Sequence, residues 1–160
     1  MPPAIAPADV SREIDEAARS ARTPDDLMKL ICERLHQRML KYNWVGFYMI
    51  QNEGGERVLQ LGHFVGSMTP HTRIQLNQGI CGAAASTGKT VVVDDVNQDS
   101  RYLACSIETK SEIVAPIFAR GQVVGELDID SHFPAAFTSD DRMLVEHCAA
   151  LAGRSLENRK

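Results

Sequence analysis

The chain has 160 residues, with 17 lysines and arginines against 21 aspartates and glutamates and a net charge of −4. That acidic balance, with a pI near 5.7 and no basic run longer than two residues, argues against nucleic acid or an anionic membrane as partner. The length suits one domain with a proper core, since a chain of about 150 residues buries roughly 70 percent of its unfolded surface; the apolar runs are too short to span a bilayer.

The N-terminus, MPPAIAPADV, has no positive charge ahead of an apolar core, so no signal peptide is read and the expected location is cytoplasmic. Residues 1–8 are rich in Pro and Ala and are expected to be loose, leaving 9–160 as a single domain. Apolar residues at Val10, Ile14, Ala17 or Ala18, and Ala21 have helical spacing. Thr23-Pro24-Asp25-Asp26 then starts a second helix with a cap, a proline at its first position and an acid three residues after the cap. Leu27, Leu30, Ile31 and Leu35 form its buried stripe, and Cys32 beside them is expected to be packing.

WVGFYMIQ (44–51) reads as a first strand, and the turn Asn52-Glu53-Gly54-Gly55 leads to a second strand from Arg57 to about Val65. Alternation places Trp44, Gly46 and Tyr48 on one face and Val45, Phe47 and Met49 on the other. The two aromatics are either ordinary core or an aromatic wall suited to a methyl group or a sulfur. Arg73 to Leu76 has the form of a short strand, followed by a small-residue helix around QGICGAAAST that ends at Gly88. Cys81 falls in the first turn of that helix, where the backbone dipoles favour a thiolate. Its glycines equally suit tight helix packing. KTVVVD (89–94) is a β-branched strand, and a polar loop from Asp95 to Tyr102 delivers Cys105.

The stretch Ser111 to Ser131, SEIVAPIFARGQVVGELDIDS, reads as a hairpin about a Gly-containing turn. In its second strand Glu126, Asp128 and Asp130 share one face. Glu112 would pair with Ile129 across a strict two-residue loop, or stand opposite Asp128 across a three-residue loop with Gly121 left-handed; the second arrangement is expected. Such like charges repel unless a proton or a cation sits among them. The acids are therefore a solvated edge, a pocket for an ammonium group, or a site that keeps one carboxyl protonated for acid catalysis. Calcium or magnesium fits less well, since no cation-binding loop surrounds them. A connection from Ser131 to Phe137 leads to Thr138-Ser139-Asp140-Asp141, which caps a final helix with the stripe Leu144, Cys148, Leu151, Ala152 and Ser155.

The four cysteines, Cys32, Cys81, Cys105 and Cys148, are widely spaced without any CxxC, which fits neither a zinc site nor a disulfide framework. The neighbouring acids would raise the pKa of a thiol at Cys105 unless a donor or cation offsets them. The element order predicts an α+β domain, an antiparallel sheet with the N- and C-terminal helices packed on one side.

That order, with WVGFY at 44–48, QGICG at 78–82, DDVNQDSRY at 94–102, SEIV and LDIDS in the hairpin, and a spacing of 24 between Cys81 and Cys105, resembles a GAF domain. More narrowly, it resembles the free methionine-(R)-sulfoxide reductases. The resemblance implies that Cys105 is the catalytic thiol, that Cys81 is a partner cysteine able to form a disulfide with it, and that Glu112, Asp128 and Asp130 hold the substrate ammonium and assist at the sulfoxide oxygen. Trp44 and Tyr48 fall on aromatics near the substrate methyl. No bound cofactor or metal is implied; thioredoxin or another thiol would be the reductant, and a homodimer is expected. The sequence departs from that family at His71, ten positions before Cys81, where a cysteine is usual, and at RYLACS around Cys105. A non-catalytic GAF sensor that binds a small molecule and acts on a partner protein is the other reading.

Overall fold

The computed structural model describes residues 5–103 and 107–158. Helix α1 runs over Pro7–Ala18, so the last two positions of the segment expected to be loose already belong to a helix. Helix α2 spans Pro24–Arg38, with Thr23 accepting a hydrogen bond from the Asp26 amide and proline opening the first turn. Its buried stripe is Leu27, Met28, Ile31, Cys32 and Leu35; Leu30 is half-buried, so the inward face is rotated toward Met28 and Cys32 relative to the expected one.

The strands are β1 (Trp44–Glu53), β2 (Glu56–Val65), β3 (Arg73–Gln75), β4 (Val91–Val93), β5 (Ser111–Ala119) and β6 (Gln122–Ser131). They form one sheet in the order β3-β2-β1-β6-β5-β4, and every pairing is antiparallel. Helix α3 covers Gly79–Thr87 and ends at a left-handed Gly88. Helix α4 covers Ser139–Glu157 and starts on a capping box between Thr138 and Asp141.

The two faces of the sheet carry separate cores. On one, Val45, Phe47, Ile113, Ala115, Ile117, Leu127 and Ile129 meet α1, α2 and α4. Cys32 and Cys148 are buried there as packing residues. On the other, Trp44, Tyr48, Leu59, Ile74 and Val114 meet Ile80, Cys81, Ala84 and Ala85 of α3. The alternation read along β1 is the alternation observed.

The β5–β6 hairpin differs from both expected registers. Ala119 pairs with Gln122, so the loop is the two-residue Arg120-Gly121, with φ of 52° and 77°. Positive φ at both central residues is the type I′ turn whose twist matches the strands. Arg120 is held in this conformation by its amide donating to Glu157 Oε2 at 3.2 Å and its Nη2 donating to the Glu157 carbonyl at 2.9 Å. One step from the turn the register slips: Phe118 pairs with Val123 but Ile117 pairs with Gly125. Val124 is therefore a bulge, and Glu112 stands opposite Asp130 rather than Ile129 or Asp128. The extra residue keeps Glu112 on the acid face, because a shift of one position exchanges the faces of a strand.

Candidate active site

Strands β1, β6 and β5 lie side by side, and their registers bring the aromatics and acids together. Trp44 pairs with Asp130, Gly46 with Asp128 and Tyr48 with Glu126, while Glu112 pairs with Asp130 from the other side. All lie on the α3 face. Far from forming a solvated edge, Glu112, Glu126, Asp128 and Asp130 are buried in the middle of the sheet, and no lysine, arginine or histidine is buried with them among the described residues.

The indole of Trp44 lies flat across Gly46: a Cβ there would come within 2.3 Å of the ring. Phe64 stacks on it at 5.7 Å, Tyr48 leans against it at 6.2 Å, and its Nε1 donates to the Ser67 carbonyl at 3.0 Å. The Tyr48 hydroxyl donates to the His71 carbonyl at 2.6 Å. Asn43 ties the head of β1 to the tail of β6, its amide donating to the Asp130 carbonyl at 3.0 Å and its Oδ1 accepting from the His132 amide at 2.8 Å.

These groups enclose a cavity of about 180 Å³ lined by Trp44, Tyr48, Asp128 and Asp130, with Asn43, Ser67, Met68, Thr69, Thr109 and His132 completing the wall. The second group comes from loops, where neither periodicity nor a motif marks a residue; Thr69 and Thr109 are nevertheless buried, which is unusual for loop threonines. A second hollow of about 20 Å³ shares Tyr48 and Asp128 with the first and is lined also by His71, Cys81, Leu103 and Glu112 among others.

Cys81 is buried and its Sγ donates to Asp128 Oδ2 at 3.4 Å. The expected activation by the helix N-terminus does not prevail. Burial, then the charges of Asp128, Glu126 and Glu112, push this thiol well above its ordinary pKa, because removing a thiolate from water costs more than a helix end returns. The acids shift the same way. Glu112 is pushed well up by burial and by the charges of Asp128 and Asp130; Asp128, Asp130 and Glu126 are raised, in each case mainly by burial. Both oxygens of Glu126 and Oδ1 of Asp128 and of Asp130 have no hydrogen-bond partner. Glu126 touches neither hollow's lining and lies near Cys81, which partly offsets the effect of burial on its pKa.

Of the residues singled out in the sequence, Trp44, Tyr48, Asp128 and Asp130 share the larger cavity, and Cys81 and Glu112 share the smaller one with Tyr48 and Asp128. Cys105 lies outside the described residues. The chemistry of the assembled groups is that of a small polar molecule with a cationic end: unpartnered carboxylates at one wall, a flat aromatic surface at another, and acids that hold protons above the usual carboxylate range.

This fold is that of a GAF domain, and the chain belongs to the GAF domain family, whose profile matches residues 23–156. Among its relatives, the free methionine-R-sulfoxide reductase of Saccharomyces cerevisiae is 42% identical over 114 residues, 71% of this chain and 62% of that protein. The chain thus spans less than two thirds of that relative. A type II free methionine-R-sulfoxide reductase from Thermoplasma acidophilum superposes with a TM-score of 0.78 at 37% identity, covering 83% of this chain and 92% of that one. The reductase from Neisseria meningitidis in complex with its substrate superposes with a TM-score of 0.86 at 30% identity, covering 94% and 88%.

Proposed function

We propose that the protein reduces free L-methionine-(R)-sulfoxide to methionine. The observation that carries the reading is the joint lining of one amino-acid-sized cavity by Trp44, Tyr48, Asp128 and Asp130, in a chain similar to reductases of that substrate. The substrate ammonium sits against Asp128 and Asp130, whose unpartnered Oδ1 atoms gain charge-assisted hydrogen bonds. The methyl and sulfur rest on the indole.

The Cys105 thiolate attacks the sulfoxide sulfur while a protonated carboxyl, Glu112 or Asp128, delivers its proton to the oxygen. The raised affinity of both groups for protons supports that role at neutral pH. Methionine departs and the oxygen stays on Cys105 as a sulfenic acid. Cys81 then attacks that sulfur, its proton passes to the departing oxygen, water leaves, and a Cys81–Cys105 disulfide remains. A thioredoxin-like dithiol returns the disulfide to two thiols and is itself oxidised. In this proposal the enzyme works in the cytoplasm as a homodimer, with apolar groups such as the exposed Met143 of α4 covered by the second copy. No helix among the described residues is long and apolar enough to cross a membrane.

The test is thiol-dependent turnover of each sulfoxide epimer of the free amino acid, with the unaltered protein and with Cys105→Ser. Turnover confined to the R epimer and lost in the variant is expected. Binding of the sulfoxide without turnover would point instead to a ligand-binding GAF module.

A further inference from the structure

We propose that Cys81, Glu112 and Asp128 form a binding site for a zinc-like divalent cation. The three residues are far apart in the chain and come from α3, β5 and β6, which is why no ligand spacing announces them in the sequence. One ligand atom from each, Cys81 Sγ and a carboxylate oxygen of Glu112 and of Asp128, lie within 4.8 Å of one another. Atoms so spaced converge on a single ion with modest closure, since zinc holds sulfur at about 2.3 Å and carboxylate oxygen at roughly 2.0–2.2 Å.

Two further observations point to an occupant. The hollow of about 20 Å³ is lined by all three of these residues, and a cavity of roughly 10–15 Å³ on that scale already admits one water. Asp128 is 4% exposed and keeps Oδ1 without a partner while Oδ2 accepts from the Cys81 thiol. A buried carboxylate oxygen left in that state is costly and is relieved by a cation. The donor set selects the ion: a thiolate with two carboxylates suits zinc, whereas magnesium and calcium demand oxygen alone. Three protein ligands leave a fourth position open to water from the hollow.

Binding forms an Sγ–metal bond and releases the thiol proton to solvent, with no change of oxidation state. Any proton held by Glu112 or Asp128, whose affinity for protons is raised, leaves with the thiol proton, so affinity tightens with pH by at least about tenfold per unit while that thiol is protonated in the free protein. If the proposed reductase reading holds, the ion occupies the acids and the partner thiol needed for turnover, so metal and substrate exclude one another.

The experiment titrates the fully reduced, full-length protein with zinc against a chromophoric chelator, and with cadmium to read the thiolate-to-metal charge-transfer absorption. One equivalent is expected to bind, tighter at higher pH, with a cadmium–thiolate band. In Cys81→Ser the band should vanish, and in Glu112→Gln zinc affinity should fall at least tenfold; circular dichroism of each variant checks that it is folded. Unchanged zinc affinity in both variants, or a band that survives Cys81→Ser and is lost in Cys105→Ser, would overturn the site. Methionine sulfoxide failing to displace bound zinc would leave the metal site standing and count against the substrate placement alone.

Discussion

At the residue scale the telling group is Glu126. It has no exposed surface and neither carboxylate oxygen has a hydrogen-bond partner, yet it lies outside the lining of both hollows. Its folded-state pKa is raised above the ordinary 4.5, chiefly by burial. A raised carboxyl favours the fold fully below its unfolded pKa, and that contribution is lost as pH rises through the folded value. Glu126→Gln should therefore flatten the decline in stability as pH rises above the ordinary carboxyl value of 4.5, measured by urea unfolding at several pH values; an unchanged slope would mean that the side chain titrates as freely in the native protein as in the unfolded one. At Gly46 the constraint is steric. Gly46→Ala must push the Trp44 ring, whose atoms stand 2.3 Å and 2.7 Å from the new carbon, off its seat. We expect KM for the sulfoxide to rise on the order of tenfold, about 1.4 kcal/mol, with a smaller effect on kcat; equal KM values would show that the indole does not hold substrate. The sequence showed the acids on one face because strand alternation is strict. It did not show that they are buried, which depends on α3 folding over them, nor that the pKa of Cys81 is pushed up rather than down, since the same burial outweighs the helix end.

At the scale of elements, local signals carried most of the architecture. The caps at Thr23 and Thr138 are as read from T-P-D-D and T-S-D-D, because capping needs only neighbours in the chain. Thr138→Ala should lower stability by about 1 kcal/mol, seen as a lower denaturation midpoint with unchanged slope. The turn and bulge of the β5–β6 hairpin were not legible. Arg120 takes a left-handed conformation through contacts with the far end of α4, and the Val124 bulge answers a register set jointly by β1 and β5. Both are tertiary effects. Helix α4 seats directly on β5 through Gly153, where an added Cβ would meet the Phe118 carbonyl oxygen at 2.2 Å. Backbone does not yield as a side chain does, so Gly153→Ala should destabilise by roughly 1–3 kcal/mol; a neutral result would show that α4 slides freely over the sheet.

At the scale of the whole molecule the sheet divides two unlike interiors. The α1, α2 and α4 side is a larger, mainly apolar core whose Tyr42 hydroxyl donates to the buried Asp141, whereas the α3 side combines a smaller apolar cluster with four buried acids and two hollows. Local opening follows such differences. Amide hydrogen exchange at Ala83 to Gly88 should proceed through a partial opening of lower free energy than exchange at Leu144 to Ala152, and the gap should widen as pH rises and the acids ionise. Equal protection of both helices would mean that the two layers open only together.

The unpaired carboxylates beneath α3 also bear on how this protein would respond to selection. A screen for heat tolerance alone would favour amides or aliphatic residues at positions 112, 126, 128 and 130, since each replacement removes a group whose ionisation the interior tolerates poorly. If three of those positions serve the chemistry, the hardiest survivors would be inert, and only position 126 would yield variants that are both sturdier and still active.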